Sequence, residues 1–242
     1  MKIFVVGIGP GDVELMTPQA VEAIKNSDVV VGYTLYVELI QDLCRGKIVN
    51  STPMKKEIDR CRLALEYAME GKNVALVCSG DPGVYGMAGL MREVAASHPE
   101  VEIATVPGIT AACGGAAVLG APLIHDFAVI SLSDLLTPWE IIEKRIKLAA
   151  EADFVICLYN PKSKKRKDHL DRAIRLILAS RSCDTVCGYA KNIGRSGEKA
   201  VICRIKDLLG NDDIDMFATV FVGNSQTREI NGKMVTPRGY AL

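Results

Sequence analysis

Four stretches of this chain hold residues whose types and spacing suit chemistry. The first is residues 74–89, VALVCSGDPGVYGMAG, where a run of five apolar residues, mostly small or β-branched, stops at Ser79-Gly80-Asp81-Pro82-Gly83. A strand that ends in a Gly/Pro turn and feeds a helix presents backbone N–H groups and a carboxylate at the carboxyl edge of a sheet. Ligands of open α/β proteins bind there. Asp81 has a second, purely structural reading as the cap of the following helix. The second stretch, Gly7-Ile8-Gly9-Pro10-Gly11-Asp12, approximates the dinucleotide fingerprint but carries Asp12 where the third glycine belongs. Asp28 lies at the start of the second strand rather than at its end, where a ribose-binding acid is needed. A nucleotide-binding Rossmann site is therefore disfavoured. A P-loop is disfavoured too, because no Lys-Ser/Thr follows Gly86.

The third stretch is His125-Asp126 followed by Ser131, Ser133 and Asp134, a dense set of polar groups around an apolar strand. His125 beside Asp126 suits acid–base work or simply fills a turn. A Ser–His–Asp triad lacks its G-x-S-x-G elbow. The fourth stretch runs from Tyr159-Asn160 into residues 162–167, five cations in six residues: Lys162, Lys164, Lys165, Arg166 and Lys167. Read as the start of a helix, these cations oppose the macrodipole, which calls for a compensating anion. A polyanionic ligand at the strand end meets that need. Nucleic acid is the weaker alternative, since no aromatic residues interleave for base stacking.

The elements that must position these groups alternate. Strand patterns at 3–6, 28–31, 47–49, 74–78 and 101–105 are separated by helical patterns at 17–26, 33–43, 57–70 and 85–96. That order predicts a mostly parallel sheet covered by helices. A thin helix of Ala and Gly follows to residue 119; its small side chains admit either a flat ligand or a tightly packed sheet. The second half reads as strands at 127–132, 153–158, 185–190, 199–203 and 218–222, with helices at 138–149 and 164–179. Pro138 suits the first helical position after Thr137, and Asn231-Gly232 marks a type I′ hairpin. The expectation is two α/β domains, residues 1–112 with a mostly parallel sheet and residues 113–242 with a mixed one.

Composition narrows the class. The 242 residues are 49% hydrophobic and 24% charged, with 29 cations balanced by 29 anions, so no basic excess drives nucleic-acid binding. No apolar run is long enough to span a membrane, and the N-terminus reads as a strand rather than a signal peptide. The eight cysteines form no C-x-x-C. They read as reduced thiols in a cytoplasmic protein, with Cys78 and Cys157 acting as small buried hydrophobes and no metal site. Cys183-x3-Cys187 is too weak a pattern to imply one.

Taken together, GIGPGD after the first strand, SGDPGVYG after a central strand and VPGITA after the next resemble, in this order, the tetrapyrrole (corrin/porphyrin) methylases. LGAPLIHDFAVISLSDLLTPWE and LYNPKSKKR resemble the branch that methylates C-17 of precorrin-3B or cobalt-factor III in cobalamin biosynthesis. The resemblance implies two α/β domains with S-adenosylmethionine in a cleft between them. It implies cofactor contacts at Pro10, Ser79, Gly80, Asp81, Val84, Thr110 and Ala111, and at Tyr159, Asn160, Ala190 and Asn192. It places a tetrapyrrole polycarboxylate near Ser131, Ser133, Asp134, Lys162, Lys164, Lys165 and Arg166, with His125 and Asp126 as acid–base candidates. Tyr33 occupies the position that follows the second strand, where a sister enzyme type carries Asp. Homodimers are common in the family, and one is implied here. An iron–sulfur cluster, which some members carry on an added domain, is not expected.

Overall fold

A computed structural model describes residues 1–163 and 166–241. It divides into two compact units, Met1–Ala111 and Ala112–Leu242. The first contains β1 (Lys2–Gly7), α1 (Pro18–Lys25), β2 (Val29–Tyr33), α2 (Thr34–Leu39), β3 (Ile48–Thr52), α3 (Glu57–Met69), β4 (Val74–Cys78), α4 (Ala88–Val94) and β5 (Glu102–Val106). Its five strands lie in the order β3-β2-β4-β1-β5, all parallel.

Both faces of this sheet are buried, as a parallel sheet requires. Ile3, Val5, Val29, Val31, Val74 and Leu76 face α3 and α4, packing on Cys61, Ala64, Ala68 and Met91. The alternate residues Val6, Val30, Ala75 and Val77 pack with Ala20, Ile24 and Val37 of α1 and α2. Thr17 caps α1, its Oγ1 accepting from the Ala20 N–H at 3.1 Å.

The second unit contains α5 (Ala111–Leu119, whose first residue closes the first unit), β6 (Gly120–Ala121), β7 (Phe127–Ser131), α6 (Trp139–Glu151), β8 (Val155–Tyr159), α7 (His169–Leu178), β9 (Val186–Lys191), β10 (Lys199–Arg204), β11 (Ala218–Val222), β12 (Arg228–Ile230) and β13 (Lys233–Val235). The main sheet has the order β10-β9-β11-β8-β7 and is mixed: β7 and β8 are parallel, while β11 runs against both β8 and β9. Ile142 and Ile146 of α6 and Leu170, Ile174 and Ile177 of α7 bury one face together with Ile156, Leu158, Val220 and Val222. α5 covers the other face, where a side chain on Gly115 would meet the Phe221 ring at 2.8 Å and one on Gly188 would meet Leu119 at 2.8 Å. Tight packing thus accounts for the glycine at position 115. Asn231 and Gly232 both take positive φ, 50° and 71°, the geometry of a type I′ turn, and join β12 to β13.

Three helix starts differ from the sequence reading. α4 begins at Ala88 rather than near Tyr85, because Tyr85 holds a positive φ of 53° and Gly86 lies so close to Pro82 that a Cβ would sit 2.6 Å from its carbonyl oxygen. Pro138 is the N-cap of α6, not its first residue. α7 starts at His169, so the described cations of residues 162–167 precede the helix instead of filling its first turn. The conflict with the macrodipole therefore does not arise for them.

Candidate active site

In the first unit, three loops leave the carboxyl ends of the adjacent strands β4, β1 and β5. Register brings Gly7 beside Cys78 and Val6 beside Val106. The loops then lock to one another. Gly9 and Gly80 form a two-way bridge, Gly80 N–H to Gly9 C=O at 2.8 Å and Gly9 N–H to Gly80 C=O at 3.2 Å. Both hold positive φ, 71° and 67°, which glycine adopts without penalty. A Cβ on Gly108 would stand 2.2 Å from the Gly80 carbonyl oxygen, so backbone meets backbone where the third loop crosses the second.

Asp81 ties this arrangement together. One carboxylate oxygen accepts from the Gly83 N–H at 2.7 Å and the other from the Gly108 N–H at 3.0 Å. Asp81 does not cap α4, whose N-cap is Met87. The capping Thr17 adds a further tie, donating to the Pro107 carbonyl at 3.3 Å. Pro10, Ser79, Gly80, Asp81, Val84, Thr110 and Ala111 therefore belong to one edge, with Pro10 and Gly80 buried and the others partly exposed. Tyr33 ends β2, the neighbour of β4 on that edge, and packs edge-on against Tyr36 at 5.0 Å. Cys78, directly beneath the second loop, is buried, which pushes its thiol up to about 11. A separate concavity of about 560 Å³, lined by Lys25, Asp28, Arg45 and Lys47 among others, lies at the amino edge of the same sheet. Its Lys47 ammonium is already taken by the Lys25 and Ser27 carbonyls.

In the second unit, Ser131 and Tyr159 are paired at the carboxyl ends of β7 and β8. Asn160, at a positive φ of 54°, turns its amide to donate to Ser131 Oγ at 2.9 Å. The same oxygen accepts from the Ser133 N–H at 3.2 Å. Arg166 donates to Ser133 Oγ, and its Nη1 lies 3.7 Å from Asp134. Tyr159 Oη accepts the Ala112 N–H at 2.5 Å, fixing the first turn of α5. Ala190 and Asn192 lie at the same carboxyl edge, on β9 and just beyond it, and Asn192 also takes a positive φ of 52°.

Two parts of the sequence expectation sit differently in the structure. His125 and Asp126 precede β7, with the Asp126 carbonyl accepting the Val155 N–H at the start of the β7–β8 pair. They stand at the amino end of the strand whose carboxyl end carries Ser131, roughly 16 Å away at about 3.3 Å per residue, so the structure does not bring the two groups together. Adjacency in sequence had suggested one cluster, but a strand separates its two ends by its full length. The basic run is also less available than its composition suggests. Lys162 gives its ammonium to the Asn211 carbonyl at 2.6 Å, Arg166 is engaged as above, and Lys164 and Lys165 lie outside the described residues. Sequence reasoning missed His169, which lies against Asp134. A histidine at the head of a strongly amphipathic helix was the available signal.

The loop pattern and this two-unit fold are those of a known family. A family model described as Tetrapyrrole (Corrin/Porphyrin) Methylases matches residues 2–209, and the chain belongs to that family. It is 49% identical to a probable cobalt-factor III C(17)-methyltransferase of Salmonella typhimurium, over 98% of this chain and 99% of that protein. It is 38% identical to a precorrin-3B C(17)-methyltransferase of a Sinorhizobium species, over 99% of this chain and 97% of that protein. A cobalt-factor III methyltransferase of Priestia megaterium is 48% identical over 99% of this chain, which spans 45% of that longer protein. Among solved structures, the methyltransferase CobJ superposes with a TM-score of 0.90 at 37% identity, covering 97% of this chain and 99% of that one. A uroporphyrin-III C-methyl transferase from Thermus thermophilus, complexed with S-adenyl homocysteine, shares the fold at a TM-score of 0.72 and 24% identity, covering 92% of each chain.

Proposed function

We propose that the protein transfers a methyl group from S-adenosylmethionine to C-17 of precorrin-3B or cobalt-factor III, coupled to contraction of the macrocycle in cobalamin biosynthesis. The observation that carries this reading is the convergence of GIGPGD, SGDPGVYG and VPGITA on one sheet edge through the Gly9–Gly80 bridge and Asp81, in a chain that matches C(17)-methyltransferases over nearly its whole length. The S-adenyl homocysteine bound by the Thermus thermophilus relative supports the cofactor.

The chemistry asks little covalent work of the protein. The ring carbon attacks the sulfonium methyl, the C–S bond breaks, and neutral S-adenosylhomocysteine leaves. Such a reaction is accelerated mainly by holding carbon, methyl and sulfur in line. We assign the cofactor to the loops bearing Pro10, Ser79, Gly80, Asp81, Val84, Thr110 and Ala111. Asp81 acts chiefly through the two N–H groups it holds. Tyr159, Asn160, Ala190 and Asn192 carry over from the family as further cofactor residues. Ser131, Ser133, Asp134 and Arg166 are the tetrapyrrole-facing set, and Tyr33 is the candidate group near the methyl acceptor. A cytoplasmic homodimer is the form we assign, from family habit and the reduced state read for the thiols.

Incubating the protein with methyl-labelled S-adenosylmethionine and cobalt-factor III, followed by mass and NMR analysis of the product, tests the assignment. One added methyl at C-17 is expected. A methyl at another carbon overturns the choice of target, and no transfer overturns the activity.

A further inference from the structure

His169 stands outside every role assigned so far. It opens α7 and is 5% exposed. Its ring stacks on Trp139 with centroids 4.7 Å apart and 14° between planes. Nε2 lies 3.5 Å from Asp134 Oδ2. Nδ1 is buried with no hydrogen-bond partner among the described residues. Burial holds the imidazole below its ordinary pKa, outweighing Asp134 and Asp168, which raise it; Arg166 and Arg172 lower it further.

A neutral ring carries one N–H, and the surroundings select where. On Nδ1 it would be a buried donor with no acceptor, whereas Nε2 faces a carboxylate. The N–H therefore belongs on Nε2, which stands 3.5 Å from Asp134 Oδ2. Asp134, its side chain 37% exposed, meets Arg166 on its other side. Arg166 is held from within by Ser133 and Ser163 through Nη1 and Nε, and its Nη2 makes no hydrogen bond among the described residues.

We propose that His169 is a positioning residue for the substrate's carboxylate arms: the buried imidazole fixes Asp134, Asp134 fixes the Arg166 guanidinium, and Arg166 presents its outer N–H edge to a carboxylate of the tetrapyrrole. This rests on the reading above that the substrate is a tetrapyrrole polycarboxylate. His169→Phe keeps a ring on Trp139 and removes the N–H. His169→Gln retains an N–H at the reach of Nε2.

Steady-state kinetics on the full chain separate the outcomes. In His169→Phe the KM for cobalt-factor III should rise about tenfold, as the charge-assisted contact of Arg166 with the substrate carboxylate weakens. The kcat and the S-adenosylmethionine dissociation constant should stay unchanged, and His169→Gln should recover most of the KM. Should His169→Phe not fold, Asp134→Asn, at a half-exposed position, takes its place with the same expected rise. An unchanged KM in the folded variant, a Gln variant no better than Phe, or a parallel loss of cofactor affinity overturns the inference while leaving the methyltransferase reading in place. A wild-type protein that neither binds nor methylates cobalt-factor III overturns that reading, and the inference falls with it.

Discussion

At the scale of single residues, Asp81 decides how the second and third loops meet. Its two acceptors are not equivalent. The Gly83 N–H is exposed and water can replace the carboxylate there, while the Gly108 N–H is partly buried, so an unsatisfied donor at Gly108 carries more of the roughly 1–3 kcal/mol cost of a buried unpaired group. Asp81→Ala should therefore weaken S-adenosylmethionine binding by about tenfold or more and lower the melting temperature by a few degrees. Asp81→Asn, with one carbonyl oxygen left, should fall between. Calorimetric titration with the cofactor reads both, and a wild-type affinity in Asp81→Ala would show that the loops hold their shape without the carboxylate. His125→Ala offers a contrast. With its imidazole at the amino end of β7, it should leave both methyl transfer and ring contraction near wild-type rates in the product assay, and a selective loss of contraction would restore the acid–base role that its sequence neighbours suggest.

At the scale of elements, two helical glycines should respond with opposite signs to the same substitution. Alanine is favoured over glycine in a helix by about 0.8–1 kcal/mol. Gly89 on α4 has nothing within 4 Å of a built Cβ, so Gly89→Ala should gain most of that. Gly115 on α5 would place its Cβ 2.8 Å from two carbons of the Phe221 ring. That ring is fully buried on β11, between β9 and β8, and overpacking of this kind costs about 1–3 kcal/mol. Gly115→Ala should be net destabilising in urea unfolding, and a gain there would mean that the ring has room to shift. Elements were where the sequence was most readable. The βαβα alternation and the Asn231-Gly232 turn follow from local pattern, because periodicity and turn chemistry act between near neighbours. The second sheet is mixed through β11 running against β8 and β9, not through that hairpin, which lies in the small sheet with β6. The starts of α4 and α7 did not follow, since they depend on a positive φ at Tyr85 and on packing at His169. In the candidate site, the three glycine motifs were legible as strand-end loops. The Asp81 tie to Gly108 and the Asp134–His169 contact join positions far apart in sequence, and no local pattern encodes them.

At the scale of the whole molecule, the eight thiols report where the core lies. Cys44, Cys61, Cys78, Cys157 and Cys187 are buried, Cys203 is partly covered, and Cys113 and Cys183 are exposed. Burial pushes Cys61 up to about 12 and Cys78 and Cys203 up to about 11, and raises Cys44, Cys157 and Cys187 as well. Since the thiolate is the reactive form, Ellman's reagent at neutral pH should titrate two thiols quickly in the native protein and all eight in denaturant. Rapid reaction of more than two would mean that one of the cores opens on the timescale of labelling. No helix among the described residues is long and apolar enough to cross a membrane.

The small sheet that joins β6 to β13 bears on how the chain is made. Met234 and Val235 pair with Gly120 and Ala121, which directly follow α5. All strand pairings of the first unit lie within Met1–Ala111, so they can form while the remainder is still on the ribosome. The second unit has no such head start: β6 waits for a partner that is made more than a hundred residues later. Chains cut short ahead of Lys233 would leave that segment unpaired, and a nascent protein has one half assembled well before the other can close.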